Sequence, residues 1–279
     1  MPRTDSTALR VAVAGLGAVG FEVARRLARG RDGQGIDGLV LSAVSARNRV
    51  AAVARMSNVD AEVPVLAVEA LADVADVVVE CAPADVFAAI AEPALLAGRI
   101  LVPISVAALM EHPELIEVAR RTGGRILVPS GALLGLDAVC AAAEGDIHSV
   151  RMVTRKPPGG LAGAPYLEAH GIDVSKLSEP LLVFRGSARD GAAGFPANLN
   201  VAAALGLAGI GLDRTELEIW ADPGITRNCH RIVVEADSAH FELQIENVPS
   251  EANPRTGRLV ANSVVATLKR LVSPLVVGT

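Results

Sequence analysis

An α/β fold is predicted for this 279-residue chain: a Rossmann-type doubly wound parallel sheet, followed by a second α+β domain with a mixed or antiparallel sheet. Three observations predict it. The first half alternates short apolar runs with amphipathic ones, and the apolar runs are nearly continuous, as in strands covered by helices on both faces. The run Val11–Ala14 leads directly into Gly15-Leu16-Gly17-Ala18-Val19-Gly20 and then into a helical pattern. Beyond about Gly131 the rhythm changes to β-rich runs with fewer helices between them.

Taken in order, strands are expected over Arg10–Ala14, Leu39–Val44, Val63–Leu66, Asp76–Cys81, Ile100–Ile104 and Ile126–Val128. The first helix is Ala18–Ala28, with Val19, Val23 and Leu27 on one face and Glu22, Arg25, Arg26 and Arg29 on the other. Ala84–Ala97 follows the Ala82-Pro83 turn. Val106–Arg121 begins behind Ser105, a residue type that caps helices. In the second half, Val150–Thr154, Leu181–Arg185, Glu216–Ala221, His230–Glu235 and Phe241–Asn247 read as strands, the last two joined by a hairpin tip at Ala236-Asp237-Ser238. Pro157–Gly163 and Tyr166–Pro180 lack periodicity and read as surface loops or a mobile flap. Val201–Leu212 is a very apolar helix, and Leu259–Leu271 is amphipathic.

Composition narrows the partners. Hydrophobic residues make up 51% and charged ones 20%, which excludes a disordered chain. The net charge is −5 and no Lys/Arg run tracks a phosphate backbone, so nucleic acid is not expected. Val201–Leu212 falls well short of the ~20 residues of a spanning helix, so no membrane is expected either. Arg10 before Val11–Phe21 imitates a signal peptide, but the glycine pattern and the charged continuation Glu22–Arg26 mark a buried strand and turn. Cys81, Cys140 and Cys229 are widely spaced and odd in number, so neither a disulfide framework nor a metal knuckle follows, and a cytoplasmic location is expected.

The glycine run is a dinucleotide fingerprint in its confirming context, strand before and helix after. Gly15 makes the tight turn, Gly17 lets a pyrophosphate approach the backbone, and Gly20 lets helix pack on strand. Cofactor contacts are expected at Gly15, Gly17, Ala18, Val19 and Gly20, and at the strand ends Ser45, Arg47, Cys81 and Ala82. An acidic residue at the end of the second strand would bind the ribose 2′-hydroxyl of NAD, but Val44-Ser45-Ala46-Arg47-Asn48 has none. Arg47 suits a 2′-phosphate, with Ser45 in support, so NADP is the preferred cofactor and NAD the alternative.

Three polar clusters mark the second half. His230 stands in Asn228-Cys229-His230 behind the turn Asp222-Pro223-Gly224. Asn198 and Asn200 head the apolar helix, either as N-caps or as partners for a carboxamide, which needs both a donor and an acceptor. Arg155 and Lys156 end a strand before Pro157-Pro158, as a solvated basic turn or an anion site. The five histidines show no HxH or HxxxH spacing, so no metal is expected.

These segments together resemble the L-aspartate dehydrogenase family. The matching pieces are Gly15–Gly20, Ser130-Gly131-Ala132, Thr154–Pro158, Phe195–Ala203, Ala221-Asp222-Pro223, Asn228-Cys229-His230, Glu246–Ser250 and Asn253-Pro254-Arg255-Thr256, in the family's order along nearly the whole chain. The resemblance implies a Rossmann domain over 1–131, completed by the C-terminal helix in 252–279, and an inserted substrate domain over 132–251. It implies NAD(P)-dependent oxidation of L-aspartate to iminosuccinate, hydrolysing to oxaloacetate and ammonia, or the reverse, with iminosuccinate feeding NAD biosynthesis.

His230 matches the family's active-site histidine, and Ala132 and Asn200 match its cofactor contacts. With an ordinary pKa near ~6.5, His230 is the expected proton acceptor, with Lys156 as runner-up. The substrate, a small acidic amino acid, needs cations for its carboxylates: Arg155, Lys156 and Arg227 are the candidates, with Asn198 and Asn228 beside them. Two departures stand out: Asp237–Phe241, where the family often has glycines, and the missing acidic residue near Ser45–Arg47. The alternatives are an NADPH-dependent reductase of a semialdehyde or cyclic imine, and a non-catalytic dinucleotide sensor. A homodimer is expected from the apolar second-domain sheet.

Overall fold

The computed structural model describes residues 8–29, 34–195, 200–250, 253 and 256–278. The chain forms two compact units: the part up to Pro129 with Val260–Val276, and Ser130–Leu259 with Val277–Thr279.

In the first unit, β1 (Leu9–Ala14), β2 (Leu39–Ser45), β3 (Val77–Glu80), β4 (Ile100–Pro103) and β5 (Arg125–Ile126) form a parallel sheet in the order β2-β1-β3-β4-β5. Its helices are α1 (Ala18–Leu27), α2 (Arg49–Met56), α3 (Leu71–Val74), α4 (Phe87–Leu96), α5 (Val106–Glu111) and α6 (Glu114–Thr122). Successive side chains of β1 point to opposite faces. Val11 and Val13 pack with Val19, Val23 and Leu27 of α1, while Ala12 and Ala14 pack with Leu71, Ile90 and Ala94 of α3 and α4. Val11, Ala12, Val13 and Ala14 are fully buried, which is why this part of the strand reads as a continuous apolar run. Each valine contributes about 1.5–3 kcal/mol through that burial.

Several expected elements differ. Val63–Leu66 is not a strand: only an isolated bridge joins Val44 and Val65, since Pro64 has no N–H to extend a ladder. The last strand is Arg125–Ile126 rather than Ile126–Val128. Val106–Arg121 is two helices, broken at His112-Pro113, where proline lacks the donor a continuing helix needs. Ser105 makes no side-chain cap. Its hydroxyl instead donates to Glu80 Oε1 at 2.9 Å.

The second unit carries β6 (Ile147–Lys156), β7 (Leu181–Ser187), β8 (Thr215–Ala221), β9 (Asn228–Ala236) and β10 (His240–Asn247), in the order β10-β9-β6-β8-β7. Only β6 and β8 run parallel; the other neighbours are antiparallel, so the sheet is mixed. β6 is longer than its apolar run because β8 and β9 pair along its flanks. Ala236 N–H donates to Ala239 O at 3.0 Å and closes the expected hairpin tip.

Its helices are α7 (Leu136–Ala142), α8 (Pro165–Ala169), α9 (Ala188–Gly194) and α10 (Asn200–Ala208). α10 ends at Ala208 rather than Leu212, where Gly211 takes a φ of +84° and turns the chain. The stretch after Pro157, expected as loose loops, is packed: it holds a short 3₁₀ turn at Pro158–Gly160 and α8, and Leu161, Leu167 and Val174 are buried. The chain then returns to the first unit through α11 (Leu259–Arg270), whose Val264, Val265 and Leu268 join the core of β1 and α1.

Candidate active site: a glycine turn and a polar cavity

In the first unit the strand order reverses direction between β1 and β3. The carboxyl ends at such a switch point are where open α/β sheets bind ligands. Gly15 has a φ of +95°, and a Cβ there would lie 2.5 Å from the Cys81 carbonyl oxygen. At Gly20 a Cβ would lie 1.9 Å from the Gly15 oxygen. Both positions therefore admit no side chain. Gly17 is different: a Cβ there would meet no atom within 4 Å, so the turn is open on that side. Gly17 is also the N-cap of α1, whose first amides have no partner inside the helix. Open space plus unpaired amides and the positive end of the helix dipole fit a pyrophosphate.

The other expected cofactor residues surround this turn in different ways. Ala18 opens α1 and Val19 packs in the core, leaving its backbone for the ligand side. Ser45 is buried, and its carbonyl accepts from Gly15 N–H at 2.8 Å. Arg47 is exposed just past β2, ahead of Asn48, which caps α2 by accepting from Ala51 N–H at 3.0 Å. Cys81 N–H donates to Ala14 O at 2.8 Å, and Ala82 N–H to Glu80 Oε1 at 2.9 Å.

Glu80 and Arg55 were not anticipated. Glu80 is fully buried, and desolvation raises its pKa against hydrogen bonds from the Ser105 amide and hydroxyl and the Ala82 amide. A carboxylate ending the run Val77–Val79 was the available signal. Arg55 donates to Leu16 O at 2.7 Å, and its guanidinium lies 3.6 Å from the Phe21 ring centroid. It braces the glycine turn from α2. A lone arginine on a helix carries no local mark of such a role.

In the second unit, register brings the polar residues of β6, β9 and β10 together. Thr154 pairs with His230, and Asn228 pairs with Asn247. Lys156 is two residues beyond Thr154 and shares its face. Thr154 Oγ1 and His230 Nδ1 are 3.1 Å apart. Lys156, Asn228 and Asn247 line a cavity of about 920 Å³, closed on another side by the Gly159–Gly163 loop and Phe195.

Burial sets the electrostatics here. Desolvation pushes the Lys156 ammonium down to about 8. Desolvation, and then the charge of Lys156, push His230 down to about 3. The imidazole is therefore neutral at pH 7, not the group titrating near neutrality that its ordinary pKa leads one to expect.

The remaining expected residues divide. Arg155 lies on the opposite face of β6 from Lys156, since adjacent strand residues alternate. It donates to Asp222 Oδ2 at 3.2 Å and stacks at 4.7 Å on Trp220. Arg227 is exposed before β9. Neither lines the cavity that holds Lys156. Ala132 is present through its carbonyl, which accepts from Asn247 Nδ2 at 3.1 Å. Asn200 is the exposed first residue of α10, and Asn198 lies outside the described residues.

Residues 15–129 match the family model for the homoserine dehydrogenase NAD-binding domain, and residues 137–271 match the model for the aspartate dehydrogenase C-terminal domain. An L-aspartate dehydrogenase of Bradyrhizobium diazoefficiens is 52% identical over 277 residues, covering 99% of this chain and 96% of that protein. The chain belongs to the L-aspartate dehydrogenase family. A second family member, L-aspartate dehydrogenase 3 of Bordetella bronchiseptica, is 54% identical over 97% of this chain and 98% of its own. The crystal structure of aspartate dehydrogenase from Thermotoga maritima superposes with a TM-score of 0.71 at 22% identity, over 98% of this chain and 100% of that one. That likeness speaks for the fold. The family accounts for the dinucleotide turn and makes the chain an amino-acid dehydrogenase. Among the described residues no helix is long and apolar enough to cross a membrane.

Proposed function

We propose that this chain oxidises L-aspartate with NAD(P) to iminosuccinate, which hydrolyses to oxaloacetate and ammonia, and that it also runs in reverse. The observation that carries the proposal is the row of buried basic and polar groups on one face of β6 and β9: Lys156 at the cavity, with His230 and Thr154 two residues further along the strands on the same face. Bound NAD(P) supplies the hydride acceptor for the substrate Cα–H. Lys156, as an ammonium below about pH 8, clamps a substrate carboxylate. His230 accepts the proton that the amino group must lose. For that, its Nδ1–H donates to Thr154 Oγ1, which leaves Nε2 with a free lone pair.

An imidazole at about 3 is a weak base, and the substrate corrects this. Its two carboxylates bring negative charge beside Lys156 and His230 and raise both groups. The base is thereby strengthened only when substrate is in place. Arg155, tied to Asp222 and stacked on Trp220, is left to shape the sheet rather than to bind the substrate.

NADP is the proposed cofactor, supported by the exposed Arg47 and the absence of any carboxylate over Ser45–Asn48. The imine product offers a route into pyridine-nucleotide synthesis when it is intercepted before hydrolysis. The same reading has the chain working as a homodimer through the sheet face that carries Arg155 and Arg231, which sedimentation equilibrium tests. Initial rates of cofactor reduction with L-aspartate, D-aspartate, L-glutamate and L-alanine, each with NAD and with NADP, test the activity. No reduction with L-aspartate under either cofactor overturns the proposal.

A further inference from the structure

We infer that Asn247 is a specificity residue whose side-chain oxygen receives the amino group of the substrate, an assignment that rests on the amino-acid oxidation proposed above. Asn247 ends β10, is only 5% exposed, and lines the cavity. Its Nδ2 donates to the Ala132 carbonyl at 3.1 Å. Its Oδ1 is buried without a hydrogen-bond partner among the described residues. A buried carbonyl oxygen left without a donor is unfavourable, so the atom is held ready for a donor that arrives from outside the chain.

The orientation of the amide is determined. Flipping it would set Oδ1 against the Ala132 oxygen, two acceptors facing each other, so the acceptor end is the one without a partner among the described residues. Gly257 packs against that end with no side chain of its own: a Cβ there would sit 3.0 Å from Asn247 Oδ1.

Register then says what kind of ligand fits. Asn247 pairs with Asn228. Continuing β9 and β6 one residue past the Arg155–Cys229 pair sets Asn228 opposite Lys156. The three residues form one row across three strands, with its ends about 10 Å apart at ~4.8 Å per strand. A cation stands at one end and a bare acceptor at the other. A carboxylate at Lys156 and an N–H donor at Asn247 describe an amino acid. As the Cα–H leaves with its electron pair, positive charge grows on the substrate nitrogen, and a fixed carbonyl dipole stabilises that charge. The keto acid product has no N–H and loses the contact.

The test compares ligands with and without the amine. Dissociation constants for L-aspartate and for succinate are measured by calorimetry with the reduced cofactor bound, so that nothing turns over, in wild type and in Asn247→Leu. The expected result is a rise of roughly tenfold or more for L-aspartate, the size of a lost charge-assisted hydrogen bond, with succinate unchanged within about twofold. Unchanged succinate binding also shows that the variant is folded. If leucine unfolds the protein, Asn247→Ala is read by the same ratio.

An equal loss for both ligands makes Asn247 a mere tether for Ala132 and overturns the assignment, as does no loss for either. Weakened cofactor binding with an unchanged aspartate-to-succinate ratio gives Oδ1 to the cofactor carboxamide and overturns it too. Wild-type turnover of L-aspartate is measured first. Its absence sinks the proposed activity, whereas turnover with an unmoved ratio sinks the Asn247 assignment alone.

Discussion

Replacing Lys156 by methionine keeps most of the side-chain volume and removes the buried ammonium. Burial lowers Lys156 from 10.5 to about 8. That difference, at 1.36 kcal/mol per pH unit, makes the charged form cost the fold about 3 kcal/mol. The sign follows from proton counts. Between pH 8 and 10.5 the unfolded chain holds a proton that the folded chain has released, so wild-type stability rises with pH across that window and is lost as pH falls towards 8. Lys156→Met has no such slope. Relative to wild type, the variant should be at its most stable at pH 7 and give up about 3 kcal/mol of that advantage by pH 10.5. Urea unfolding of both proteins at several pH values between 7 and 10.5 measures the gap directly. Activity should move the other way, with kcat/KM for L-aspartate falling about ten- to a hundredfold for loss of a charged hydrogen bond worth ~1.5–3 kcal/mol. A stability gap that does not change with pH would refute the buried-ammonium argument.

His230→Gln should lower kcat by about a hundredfold or more, the range for a lost general base. It should also flatten the acid limb of the stability curve between pH 6.5 and about 3, where the buried imidazole of the wild type resists the proton that the unfolded chain takes up. Arg47→Asp should cut kcat/KM with NADP about tenfold or more while sparing NAD, because a charged contact of ~1.5–3 kcal/mol is lost only where a 2′-phosphate is present; steady-state kinetics with both cofactors decide it. Gly17→Ala and Gly20→Ala should separate binding from folding. The first has open space for its methyl group and should weaken cofactor binding with an almost unchanged melting temperature. The second drives a Cβ to 1.9 Å from the Gly15 oxygen and should lose stability by roughly 1–3 kcal/mol, or fail to fold.

Local signals read well where a single segment determines its own conformation. The β1–turn–α1 unit is one such case: the apolar run, the three glycines and the Val19, Val23, Leu27 stripe all lie within about twenty residues. The hairpin around Asp237-Ser238 is another. Elements whose fate depends on a neighbour were misjudged at their ends. Val63–Leu66 has the composition of a strand but Pro64 lacks a donor, and Ser105 has the composition of a cap but a buried carboxylate claims its hydroxyl.

Taken alone, then, the order of residues determined the two sheets' character, the glycine cradle and the polar groups at 154–156 and 228–230, because periodicity and backbone freedom are properties of short stretches, whereas 246–250 was marked only by the family resemblance. Only the tertiary structure decided which of those groups meet. Strand alternation turned Arg155 to the opposite face from Lys156, pairing across 76 residues put Thr154 against His230, and the Ala132 carbonyl oriented the Asn247 amide. The charge states were decided in the same way. Desolvation is set by everything packed around a group, and neither Lys156 near 8 nor His230 near 3 can be read from the residues beside them in the chain.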